Sequence, residues 1–152
     1  MEHPVLPAND QTRYDLGVKH WAPTQMKSIH PSMAIPMGWI PLFFAEGKHG
    51  KASQAEIRRA EQQVYLKCLS YVSNHANKNA VWAVTYYGPY FRVWAYVKGS
   101  KCLTPFFPNK SQEKGAYLDI QGNEENFEIV TQYMKDNNTP NIEEFDDIWN
   151  RL

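Results

Sequence analysis

Glu46 and Lys48 stand one residue apart at the end of an apolar run, WIPLFFAEGKHG (residues 39–50). A charge at the end of a core strand is costly unless something compensates for it. Strand side chains alternate with period two, so positions 40, 42, 44, 46 and 48 share a face, with Glu46 and Lys48 roughly 6–7 Å apart along the chain. An acid, Asp15, stands upstream in RYDLGVKHW (13–21), and Glu61 or Gln62 follows downstream. Such a set suits metal-dependent hydrolysis of a phosphodiester. Hard oxygen ligands hold Mg²⁺ together with several waters and substrate phosphate. The ion polarises the phosphoryl oxygen and lowers the pKa of a bound water. A neighbouring lysine orients that water or stabilises the charge growing on phosphate.

The elements that must position these groups are legible in outline. Residues 1–12 read as a loose leader, 13–21 as a short strand, and 22–38, with Pro23, Pro31 and Pro36, as a long loop. In the second strand, Trp39, Pro41, Phe43 and Ala45 make the face opposite Glu46 apolar too. That predicts a central strand covered by layers on both sides, with Pro41 at its beginning because proline donates no ladder hydrogen bond. Gly47 loosens the strand and marks a candidate bulge that would re-aim the lysine. Ser53 followed by Glu56 has capping-box spacing and predicts a helix from there to about His75. Ile57, Val64, Cys68, Tyr71 and Val72 fall on its inner side, as do Glu61 and Tyr65. Gln62 lies at the edge, while Glu56, Arg59, Gln63 and Lys67 point to solvent.

Residues 80–98 predict a β-hairpin turning at Gly88–Pro89. A short strand is expected at 116–120, an amphipathic helix over 123–135 with Phe127, Val130 and Met134 inward, and a last short helix over 142–149. The order β, β, α, β, β, β, α, α implies an α/β (α+β) fold, a mixed central β-sheet flanked by helices, in a single domain spanning 1–152.

Composition narrows the classes. The chain has 152 residues, 43% hydrophobic and 14% aromatic, which is globular. No apolar run approaches the ~20 residues needed to span a bilayer, and the N-terminus lacks the layout of a secretory signal. An intracellular protein, cytoplasmic or nuclear, with no membrane partner is expected. Cys68 and Cys102 are too few for a disulfide framework and read as free thiols. Net charge is zero, yet the first 118 residues carry +7 and the last 34, an acidic helical part, carry −7. A basic body facing a polyanion and an acidic solvated tail are both compatible with that segregation.

The progression YDLGV (14–18), IPLFFAEGK (40–48) and a helix carrying AEQQ (60–63) resembles the PD-(D/E)XK nuclease-like superfamily, most nearly its divergent fungal branch. The resemblance covers about residues 13–98. It implies a restriction-endonuclease-like core, a nuclease cutting DNA or RNA with Mg²⁺ or Mn²⁺, and specific roles. Asp15 and Glu46 would ligate the metal together with the main-chain carbonyl of Gly47, and Lys48 would be the catalytic lysine. The helix would contribute a supporting group, Glu61 by its facing and Gln62 or Gln63 by motif. The family's further N-terminal acid has no counterpart here, which implies either a piece of a longer chain or a reduced site. Lys51, Arg58, Arg59 and Arg92 are candidate phosphate contacts, against the plainer reading of a solvated basic face. The hairpin aromatics suit packing more than base stacking. The alternative to an enzyme is a catalytically inactive, effector-like module of the same fold that binds a protein or nucleic acid.

Overall fold

The computed structural model of the protein describes residues 19–21, 39–108 and 117–149. Two short strands, β1 (Lys19–Trp21) and β2 (Trp39–Pro41), pair antiparallel. The chain bends at Leu42 and continues as β3 (Phe43–Lys48), α1 (Gln54–Asn74), β4 (Ala80–Tyr87), β5 (Tyr90–Val97), β6 (Thr104–Phe107) and β7 (Leu118–Asp119). α2 (Glu124–Asp136), a 3₁₀ turn (Ile142–Glu144) and α3 (Phe145–Trp149) follow. The protein is a mixed α/β domain built on a five-stranded mixed sheet. Its strand order is β3-β4-β5-β6, with β7 pairing to β5 beside β6. β3 and β4 run parallel, joined through α1; β5, β6 and β7 join the sheet antiparallel.

Local chemistry accounts for these elements. Ser53 caps α1 as its spacing foretold. Its backbone N–H donates to Glu56 Oε2 at 2.7 Å, and its hydroxyl accepts the Glu56 N–H at 3.3 Å. The β4–β5 hairpin turns at Gly88, whose φ of +52° suits glycine. A Cβ there would also stand 2.7 Å from Gly50 Cα. That close approach ties the hairpin tip to the end of β3, where the Gly88 N–H donates to the Lys48 carbonyl at 3.1 Å.

The sheet is covered on both faces. Against α1 lies a cluster of Val64, Cys68, Val72, Val81, Ala83, Trp94, Tyr96 and Leu103. Against α2 and α3 lies a second, of Leu42, Trp82, Phe91, Phe106, Phe107, Val130, Met134 and Phe145 among others. Trp82 stacks on Phe145 and tilts against Phe106, and its indole N–H donates to the Asn137 carbonyl at 2.7 Å.

Several expectations change. The strand expected from residue 39 is two strands, and Pro41 ends the first rather than starting the second. The bend at Leu42 shifts the alternation, so Leu42 packs in the α2-side cluster while Phe44 packs against Tyr71 on the α1 side. β3 has both faces covered but is an edge strand of the sheet among the described residues. Gly47 marks no bulge, because the β3–β4 register runs unbroken from Phe43↔Trp82 to Lys48↔Tyr87. β6 was not foreseen: TPFF is too short for a period and carries a proline. Of the strand expected at 13–21 only Lys19–Trp21 is described. Phe127 is half out of the core, edge-on to Phe91 at 5.0 Å.

Candidate functional site

Glu46, Thr85 and Arg92 are the buried polar side chains of the described residues, at 2%, 0% and 1% exposure. They occupy one transverse row of the sheet, since Glu46 pairs with Thr85 across β3–β4 and Thr85 with Arg92 across β4–β5. A core that is otherwise apolar concentrates its charge on one line. This line lies near the carboxyl ends of the parallel pair β3 and β4, the end of an α/β sheet where ligands commonly bind.

α1 closes over the row in register with β3. Moving four residues along a helix advances 6.0 Å and moving two along a strand about 6.6 Å, so the two steps nearly match. α1 runs antiparallel to β3, and three successive contacts result. Lys48 Nζ donates to Gln63 Oε1 at 3.1 Å, Lys67 Nζ stands 2.7 Å from Glu46 Oε1, and Tyr71 packs on Phe44 with ring centroids 5.3 Å apart. Gln63 and Lys67, expected in solvent, are half-buried and hold the site. Glu46 and Lys48 share the α1-facing side as period two required.

Beside them runs a directed hydrogen-bond chain. The Trp94 indole N–H, which can only donate, reaches Thr85 Oγ1 at 2.8 Å. The Thr85 hydroxyl has one proton to pass on, to the Tyr117 oxygen at 2.8 Å, and Tyr117 donates to Glu61 Oε1 at 2.9 Å. Burial above all, together with the Glu61 carboxylate, pushes the Tyr117 phenol above its ordinary pKa, so it stays a donor. The Arg92 guanidinium lies over the Trp94 ring, 4.2 Å from its centroid. Burial draws its pKa down, opposed by Tyr117 and Glu61, and a guanidinium remains charged regardless.

The site residues expected from sequence separate accordingly. Glu46 and Lys48 come together, and Glu61 lies on the same side, held by Tyr117. Gln62 is exposed, and its neighbour Gln63 makes the contact to Lys48. Gly47 sits beneath the Tyr86 ring, where a Cβ would come within 2.1 Å of Cζ. Lys51, Arg58 and Arg59 are exposed around the start of α1, whereas Arg92 is buried and not a surface contact. Asp15 lies outside the described residues. Thr85, Tyr117 and Lys67 were missed. The i, i+4 spacing of Gln63, Lys67 and Tyr71 against the period-two spacing of Lys48, Glu46 and Phe44 would have revealed Lys67; nothing local marks Tyr117.

A divalent cation suits the acid at the centre. Glu46 Oε1 is buried and receives no well-directed hydrogen bond among the described residues, and the Lys67 ammonium beside it stands in for a cation. A hard, anionic oxygen is the donor type Mg²⁺ and Mn²⁺ take. Among the described residues no three His, Cys, Asp or Glu side chains cluster as a metal site, so further ligands would have to come from Asp15 and backbone oxygen.

Fold and site thus define a class: a mixed α/β domain with a buried acid–base row at the carboxyl end of a parallel strand pair. Among known proteins, no family model, curated protein or solved structure matches the chain.

Proposed function

We propose that the protein is a metal-dependent nuclease-like domain with a restriction-endonuclease-like core, hydrolysing phosphodiesters of DNA or RNA. One observation carries this reading: Glu46 is buried and Lys48 half-buried on the same face of β3, and each is held by a side chain of the helix that follows. The parallel β3–α1–β4 unit supports it, as does the exposure of Lys51, Arg58 and Arg59 around the start of α1, which on this reading would contact a polyanion. Glu46, with Asp15 and the Gly47 carbonyl, would hold Mg²⁺ or Mn²⁺. The bound ion would supply Lewis-acid polarisation of the phosphoryl oxygen. Gln63 fixes the Lys48 ammonium, which stabilises negative charge developing on phosphate.

The test is cleavage of plasmid and single-stranded substrates with Mg²⁺ or Mn²⁺. Wild type should cut, and Glu46→Gln and Lys48→Ala should each lose about 10²–10³-fold, the scale of removing one preorganised electrostatic group. Cleavage that survives both substitutions, or none by wild type, overturns the reading. One observation favours a second, the catalytically inactive binding module: Lys67 already neutralises Glu46. It predicts no cleavage, with salt-sensitive nucleic-acid binding that falls on replacing Arg58 and Arg59.

A further inference from the structure

Most aromatic residues of the β4–β5 hairpin serve the core: Trp82, Phe91, Trp94 and Tyr96 are buried, and Tyr86 packs with the α2-side cluster. Tyr87 and Tyr90 do not. They pair across the end of the hairpin, belong to neither apolar cluster and are only half-buried. Their rings stack with centroids 4.9 Å apart and planes 23° from parallel, and Tyr117 braces Tyr87 edge-on at 5.1 Å. Tyr117 is itself pinned by hydrogen bonds to Thr85 and Glu61, so the pair is held in place before any ligand arrives. Lys48 pairs with Tyr87 and Tyr87 with Tyr90, which sets the rings in line with Lys48, about 6.6 Å beyond the row of Glu46, Thr85 and Arg92. Gly50 packs on Gly88 at the hairpin tip and brings exposed Lys51 beside the same line, and Arg58 and Arg59 are exposed at the start of α1. The acid of this row, Asp119, pairs with Tyr90 at the end opposite Lys48, so phosphate is drawn toward the β3 end.

We propose that Tyr87 and Tyr90 form a stacking platform for one unpaired base, and that the protein takes single-stranded nucleic acid with the adjoining phosphates at Lys48 and Lys51. Fixed π-faces flanked by cations match a nucleobase joined to its phosphate, and every base offers such a face whatever its sequence. A base inside a duplex is already stacked on its neighbours and must leave the helix before it can meet the rings. The inference rests on the nucleic-acid reading above, and it names the form of strand that this site accepts.

The wild-type protein provides the primary test. Binding of a short labelled oligonucleotide is followed by fluorescence anisotropy in EDTA, where no metal-dependent cleavage consumes the strand. Wild type should bind the single strand about tenfold or more tightly than the same sequence as a duplex, and than an abasic strand of equal charge. Irradiating the complex with a 5-bromouracil-substituted strand should place the cross-link on Tyr87 or Tyr90, mapped by mass spectrometry. Tyr90 is the residue to replace, because Tyr87 also supports Tyr117. Tyr90→Leu should weaken single-strand binding about 5- to 150-fold, the range of one base–aromatic stack, while Tyr90→Phe, which keeps the ring, should stay within about twofold of wild type. Because the cross-link needs no substituted residue, misfolding of Tyr90→Leu leaves the test intact. Equal affinity for the normal and abasic strands, cross-links confined to other residues, or full binding by Tyr90→Leu overturns the proposal. Cleavage by a protein that binds normal and abasic strands alike removes this inference and keeps the nuclease reading, whereas a tyrosine cross-link without cleavage in Mg²⁺ or Mn²⁺ does the reverse.

Discussion

The buried carboxylate of Glu46 governs the chemistry available at the residue scale. Burying an ion costs several kcal/mol, and a partner of good geometry is needed to offset it. Lys67 at 2.7 Å meets that need, and the Lys48–Gln63 bond keeps the second ammonium pointed along the same face. Gly47, between them, is required for a different reason. Its cross-strand neighbour Tyr86 lays its ring where a side chain would stand, the nearest ring atom 2.1 Å from a Cβ. Gly47→Ala should therefore destabilise the domain by about 1–3 kcal/mol, the usual cost of overpacking, read as a lower urea midpoint. Gly47→Ala combined with Tyr86→Val should recover much of that loss. If the double variant is as unstable as the sum of the two single changes, the ring contact is not the cause.

At the scale of elements, the match between the helical four-residue step and the two-residue strand step assembles the site. It brings Gln63, Lys67 and Tyr71 onto Lys48, Glu46 and Phe44 in order, so a one-residue slip of β3 would turn Glu46 and Lys48 to the opposite face. The start of α1 therefore matters, since it sets which residues begin that ladder. Ser53→Ala should cost about 1 kcal/mol, the usual price of a lost N-cap, seen as a lower thermal midpoint. The Glu56 half of the capping box makes the helix acid-sensitive. Hydrogen bonds from the Ser53 backbone and hydroxyl, with help from His49, hold its carboxyl below the usual value. A carboxyl depressed in the folded state stabilises at pH above its unfolded value and loses that stabilisation as pH falls through the folded one. Glu56→Ala should thus be less stable than wild type at neutral pH, with the difference vanishing on acidification into the carboxylate range. A difference that persists in acid would assign the effect to helix propensity instead.

Across the whole molecule, the sheet separates two apolar clusters that serve different ends. The α2–α3 side is aromatic and apolar, while the α1 side combines an apolar base with the charged row. Cys68 belongs to the base of the α1 side, and burial pushes its thiol up to about 12. Cys102 is exposed. A thiol-reactive disulfide should therefore titrate one cysteine at once in the native protein and the second only as the domain unfolds, since reaction requires the accessible thiolate. Two fast thiols under native conditions would mean that α1 lifts readily from the sheet. Among the described residues no helix is long and apolar enough to cross a membrane.

Much of this was legible locally. The Ser53–Glu56 box, the hairpin at Gly88–Pro89, the shared face of Glu46 and Lys48, and the buried positions of Ile57, Val64, Cys68 and Val72 all follow from spacing, because each depends on residues a few positions apart. Tertiary structure alone decided the remainder. That β3 is an edge strand among the described residues, that the Leu42 bend reverses the alternation, that Arg92 is buried, and that Gln63 and Lys67 face inward are outcomes of how helix and sheet pack. Helix periodicity distinguishes an apolar side from a polar one, but it cannot tell a polar side chain facing water from one facing a buried charge on the neighbouring strand.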